Sequence, residues 1–292
     1  MDIIIGSVWR YGYDQIKYWL NSILRSGFDG EIYLACCEVP EQDLRKIKDL
    51  SDKIKIVSYG LSGADNIVVY RFQVYYYLLN YLSTIQDPDN PYRYVIATDV
   101  KDVIFQTNPS VWLDKYGYGE IILSSESLRY EDEPWGINNL SLSYGSDIAK
   151  TYAYSEIVNC GVLCGEFVPI KDLFLNIYFM SRGSFSGPFV PGGGGPDQAA
   201  LNILMGLTPY KDIKQVTNPL INWAAQLGTT NDPVKIGQFA PKLLQDSPIF
   251  DKTQGLFLTP EKSHIKDIPY SIVHQWDRMD FDTVNIIKEK YS

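Results

Sequence analysis

Apolar residues come in short bursts along the first half of the chain, and their spacing alternates between two periods. Ile3-Ile4-Ile5 is an unbroken apolar run ending at Gly6, which predicts a short buried strand. Between Asp14 and Ser26 the apolar positions are Ile16, Trp19, Leu20, Ile23 and Leu24. Steps of three and four predict a helix, and Gly27 is a fitting stop. Further strands are predicted over Glu31–Cys37, Ile54–Tyr59, Tyr92–Thr98 and Glu120–Ser125. Helices are predicted over Pro40–Leu50, which has its proline first and acids in its first turn, and over the aromatic stretch Ile67–Leu82. The second half is less regular, with a strand predicted over Val158–Cys164 and helices over Ile170–Met180 and Asp197–Leu204.

Strand and helix in alternation predict an α/β protein with a mainly parallel sheet between helical layers. Ligands of such sheets bind at the carboxyl ends of the strands. No linker and no 20–50-residue repeat divides the chain, so one domain is expected over residues 1–292, with two halves meeting near residue 125. The segment Gly183–Pro196 holds six glycines and three prolines. It reads either as a disordered surface loop or as a lid over a ligand, with Gly192–Gly195 as its permissive backbone.

Composition narrows the function without naming it. At 45% hydrophobic and 21% charged the 292 residues are those of an ordinary globular protein, and the net charge of −9 makes nucleic acid an unexpected partner. The 22 tyrosines and 6 tryptophans suit both cores and sugar-binding grooves. Cys160 and Cys164 are spaced by three residues, and Cys36 and Cys37 are adjacent. Neither pair matches a zinc knuckle, so buried free thiols in a reducing compartment are expected. No signal peptide and no apolar run long enough for a transmembrane helix is visible, which makes a cytoplasmic protein the expectation.

Four short motifs can carry chemistry. Asp99 and Asp102 follow the apolar strand that ends at Thr98. Two carboxylates there can hold a divalent ion through hard oxygen ligands, provided the chain turns at Val100-Lys101 so that both converge. Otherwise they solvate and cap a turn. His274 is one of only two histidines, and a neutral imidazole completes a carboxylate site. Arg278, four residues later, could pair with diphosphate oxygens. Asn159 and Gly161 mark a turn or a close backbone approach. Asp197 sits where a helix would start, so capping is its plainer role.

Taken in order, this set resembles the GT-A glycosyltransferases: paired acids after a strand, Asn-x-Gly, Asp-Gln opening a helix, then a late histidine. The closest likeness is to the glycogenin and bacterial galactosyltransferase-like family and to related viral and plant enzymes. It covers residues 1 to about 280. The resemblance implies a GT-A fold, with a nucleotide-binding half over about 1–125 and an acceptor-binding half over about 126–292. It implies Mn2+ (or Mg2+) bound by Asp99, Asp102 and His274, a donor-sugar pocket at Asn159 and Gly161, and sugar and acceptor contacts from Asp197 and Gln198. Ile5, Gly6, Ser7 and Val8 would cradle the nucleobase, and Arg71 would reach the donor. The implied reaction is sugar transfer from a nucleotide sugar, with UDP the expected carrier, to a glycan or other acceptor hydroxyl, with retention. Two positions depart from the family: the acids form Asp-x-x-Asp, and Arg278 stands near the place of the family's lysine.

Two other classes share some of these features. A sugar-phosphate nucleotidyltransferase should carry a glycine-rich basic loop after the first strand, and Gly6–Gly12 is poor in glycine. A non-catalytic carbohydrate-binding protein would explain the aromatics but not the acids at 99 and 102.

Overall fold

The computed structural model describes residues 1–61, 66–190, 194–230 and 246–292. Of the four consecutive glycines Gly192–Gly195, read as loop or lid, Gly192 and Gly193 lie outside the described residues.

A seven-stranded sheet forms the centre. Its strands are β1 (Ile3–Trp9), β2 (Glu31–Cys37), β3 (Ile54–Ser58), β4 (Tyr94–Thr98), β6 (Ile121–Arg129), β7 (Glu156–Glu166) and β8 (Lys214–Thr217), and they run in the order β3-β2-β1-β4-β7-β6-β8. Only β7 is antiparallel to its neighbours. The expected α/β class is therefore present, and this one sheet takes strands from both halves of the sequence. Parallel neighbours need crossovers, and helices supply them: α1 (Tyr13–Arg25), α2 (Glu41–Lys48) and α3 (Ile67–Ile85) connect the first four strands. β1 runs past Gly6 to Trp9 because β2 pairs with it over its whole length, whereas β4 pairs with it over Ile3–Gly6 alone.

Alternation along β1 sends side chains into two cores. Ile3 and Ile5 pack with Phe72 and Tyr75 of α3 and Phe174 of α7 (Phe167–Arg182). Ile4 and Val8 pack on the other face with Ile16, Trp19 and Ile23 of α1, and with Trp112 of α4 (Pro109–Tyr116). Each such buried side chain contributes roughly 1.5–3 kcal/mol. Trp19 also reaches the site, since its Nε1 donates to Thr98 Oγ1 at 2.8 Å, one residue before Asp99.

A smaller sheet lies beside the first. In it β12 (Ile272–His274) runs between β5 (Val103–Phe105), antiparallel, and β9 (Ala224–Gln226), parallel. All four cysteines are buried and free. Among the described residues no helix is long and apolar enough to cross a membrane.

Candidate metal centre

The chain leaves β4 at Thr98 and enters β5 at Val103, so residues 99–102 make the turn that convergence of the two acids requires. Sheet register brings in the rest. His274 lies opposite Val103 on one side of β12 and Gln226 on the other. Asp102 accepts at its carbonyl from Gln275 N, at 2.6 Å. His274 Nε2 then lies 3.6 Å from Asp99 Oδ2 and 3.7 Å from Asp102 Oδ2. Asp99, Asp102 and His274 thus form a group whose ligand atoms all fall within 4.8 Å of one another, and it could hold a metal ion.

Two details fit a cation. His274 Nδ1 is 2.7 Å from Gln226 Oε1. A glutamine oxygen only accepts, so Nδ1 carries a proton and Nε2 is the nitrogen that faces the carboxylates. That Nε2 is buried and has no hydrogen-bond partner. A buried polar atom without a partner costs free energy, and an ion between it and the acids removes that cost.

Gly161 makes the geometry possible. A Cβ there would stand 2.4 Å from His274 Cε1 and 2.5 Å from Nε2, so any side chain would expel the ring. The carbonyl of Gly161 accepts from Asp99 N at 2.9 Å, tying β7 to the metal turn. Of the two plain roles for this Asn-x-Gly motif, the close approach is the one present, inside a strand rather than at a turn.

Charge at the site is unbalanced. The Arg71 guanidinium, buried on α3, pairs closely with Asp99 and at 3.1 Å with Asp197 Oδ2. Burial pushes the Asp99 carboxyl up, but the Arg71 charge and the His274 contacts pull it well below the usual carboxylate range. Burial raises Asp102, as do the charges of Asp99 and Asp277, against the pull of His274. Burial would keep His274 neutral, yet the two acids draw its pKa upward. Burial also raises Asp197, which opens α8 (Asp197–Leu204). Arg71 is thus shared between Asp99 and Asp197, and among the described residues Asp102 has His274 as its ion-pair neighbour.

These groups stand on the wall of a cavity of about 550 Å³ at the carboxyl end of the sheet. Arg71, Asn159, Gly161, Asp197, Gln198 and Arg278 are on that wall. Arg278 ends the short turn Trp276–Arg278, which follows Gln275 in a left-handed conformation, φ 66°. Of the four residues expected to cradle a nucleobase, Ser7 alone reaches the cavity, where its hydroxyl meets Tyr59 Oη at 2.9 Å. Ile5 and Val8 point into the two cores. Gly6 is packed over by Val100 and Trp19. That assignment is corrected: alternation along β1 turns Ser7 and Trp9 to the cavity, and Tyr11 follows just beyond the strand.

Sequence reading missed Trp9, Tyr11, Gln226, Trp135 and Glu126. Glu126 Oε1 accepts from Asn159 Nδ2 at 2.6 Å and from Gln198 Nε2 at 3.3 Å, so one buried carboxylate sets both amides. It was legible in principle, because it follows a predicted strand as Asp99 does.

Fold and site define an α/β protein with a carboxylate–histidine centre at the carboxyl edge of its sheet. No protein-family model matches the chain, and no curated protein matches it.

Proposed function

We propose that this protein is a metal-dependent glycosyltransferase of the GT-A type, transferring a sugar with retention from a UDP-linked donor to an acceptor hydroxyl. The observation that carries the reading is the orphaned Nε2 of His274, fixed by Gln226 and facing two carboxylates on the wall of a large cavity. Asp99, Asp102 and His274 would hold Mn2+ or Mg2+. Such an ion, when bound, offsets the charge that grows on a departing diphosphate.

The chain's own residues have definable tasks. Ser7, Trp9 and Tyr11, on the cavity wall at and just beyond the carboxyl end of β1, would take the nucleoside. Arg278, on the cavity wall, would pair with phosphate oxygens. Arg71 holds Asp197 in orientation and keeps its buried charge paired. Asp197 and Gln198 face the transferred sugar, with Asn159 fixed beside them by Glu126.

Thermal-shift titrations with UDP, GDP and their glucose and galactose conjugates, each with and without Mn2+, test the reading. Stabilisation by a uridine nucleotide that depends on Mn2+ is expected, since a ligand at a hundred times its Kd adds about 2.7 kcal/mol. No metal-dependent shift with any of these nucleotides refutes it. So does a crystal soaked with Mn2+ and UDP in which the ion lies away from the three side chains.

A further inference from the structure

The chain leaving β9 meets the candidate centre twice. Gln226, its last strand residue, fixes the ring of His274. Two residues on, in the short helix Leu227–Thr230, comes Gly228. A Cβ on Gly228 would run into Gln275 Oε1, and it would stand 2.5 Å from Gln275 Cδ and 2.7 Å from Arg278 Nη1. The Gln275 amide and one arm of the Arg278 guanidinium therefore lie against bare backbone. Conformation does not call for glycine here, because Gly228 is not among the residues with positive φ. Room is what its missing side chain provides. The room goes to the far ends of two side chains, and both residues stand on the cavity wall.

Arg278 also differs from the other cations of that wall in how it is paired. Arg71 is shared by Asp99 and Asp197, and Lys101 lies 4.0 Å from Asp277. Among the described residues the Arg278 guanidinium has neither a carboxylate partner nor a hydrogen-bond acceptor. Its backbone N–H is engaged, donating to Gln275 O at 3.1 Å. A fork of unpaired N–H donors on the wall that also carries two carboxylates and a histidine matches a diphosphate. The ion takes some of its oxygens and the guanidinium takes others.

We propose that Gly228 is a positioning residue for Arg278: by lacking a side chain it keeps the guanidinium on the cavity wall, where it pairs with the diphosphate. This rests on the glycosyltransferase reading above and adds to it the residue that admits the arginine. Gln226 and Gly228 then set the metal's histidine and the anion's arginine from one stretch of backbone, so the ion and the anion are held in register.

The test is titration of the full chain with UDP and with uridine in the presence of Mn2+, on native protein, Gly228→Ala, Arg278→Ala and the double variant. Alanine at 228 displaces side-chain ends alone, so Gly228→Ala should fold and keep its Mn2+ and uridine Kd within about twofold of native. Its UDP Kd should rise about tenfold, the worth of one charge-assisted hydrogen bond. Arg278→Ala should lose about as much. The double variant should lose no more than Arg278→Ala, because the added methyl group then has no guanidinium to displace. UDP affinity within about twofold of native in either single variant overturns the proposal. So does an equal loss for UDP and uridine in Gly228→Ala, which would mark a general disturbance of the cavity. A crystal of Gly228→Ala with Arg278 in its native place overturns it too. If native protein binds no UDP in Mn2+, the glycosyltransferase reading falls before any variant is compared, and this proposal falls with it.

Discussion

Replacing Gly161 with alanine puts one methyl group against the ring that completes the candidate centre. The added carbon would lie 2.4 Å from His274 Cε1, where ordinary contact begins near 3.4 Å, so the ring has to retreat by about 1 Å. The backbone itself accepts alanine, because Gly161 is not among the residues with positive φ. Steric displacement is then the whole effect. His274 is buried and tied to Gln226, so it cannot swing into solvent. Metal–ligand distances tolerate only about 0.2 Å. A 1 Å shift therefore removes the nitrogen from the set, and Mn2+ affinity should fall on the order of 10–100-fold, as it does when ligand orientation is lost elsewhere. Overpacking should also cost about 1–3 kcal/mol of stability. Isothermal titration of native and Gly161→Ala protein with Mn2+ measures the first quantity, and thermal melts measure the second. In a His274→Ala background the methyl has no ring to strike, so Gly161→Ala should add almost nothing there. A folded Gly161→Ala protein that binds Mn2+ within about twofold of native refutes the reasoning.

Other side chains give separate expectations. Gln226→Ala frees the tautomer of His274 and should weaken Mn2+ binding roughly tenfold or more in the same titration; unchanged affinity denies Gln226 its orienting role. Asp197→Asn should abolish sugar transfer while leaving Mn2+ affinity intact, and full turnover in that variant would contradict its place in the reaction. Asp2 gives a pH effect far from the centre: Arg93 donates to both its oxygens, at 2.9 and 2.8 Å. Burial pushes the Asp2 carboxyl up, yet these hydrogen bonds bring it below its ordinary 3.8. The folded state thus binds this proton less readily than the unfolded chain does. The pair's contribution is complete above about pH 5 and is lost as pH falls through the lowered value. Asp2→Asn should cost about 1.5–3 kcal/mol at pH 7 in urea melts and progressively less below pH 4; an equal loss at pH 3 would rule out this origin.

Apolar periodicity revealed most of the central sheet because its strands and helices are buried on wide faces. The helix predicted over Ile67–Leu82 starts where α3 starts, and the strand predicted over Val158–Cys164 lies inside β7. The small sheet was not legible. Its strands have three residues each, too short for any period to register. Gln226 was hidden for the same reason: 48 residues separate it from His274, and only the pairing of β9 with β12 brings them together. Ile5, Gly6 and Val8 were misplaced by treating the end of β1 as a loop. A paired strand alternates, so only every second residue could face the cavity.

Asp99 closes a strand of the seven-stranded sheet, whereas Asp102 and His274 are placed by the three-stranded one. An ion shared by all three would be a clasp between two separately hydrogen-bonded layers, joining chain positions 175 residues apart. Supply of the ion would then govern how firmly the C-terminal stretch from β12 through its last helix, Phe281–Tyr291, is fastened to the rest. Chelation would loosen that stretch first, well before the large sheet yields.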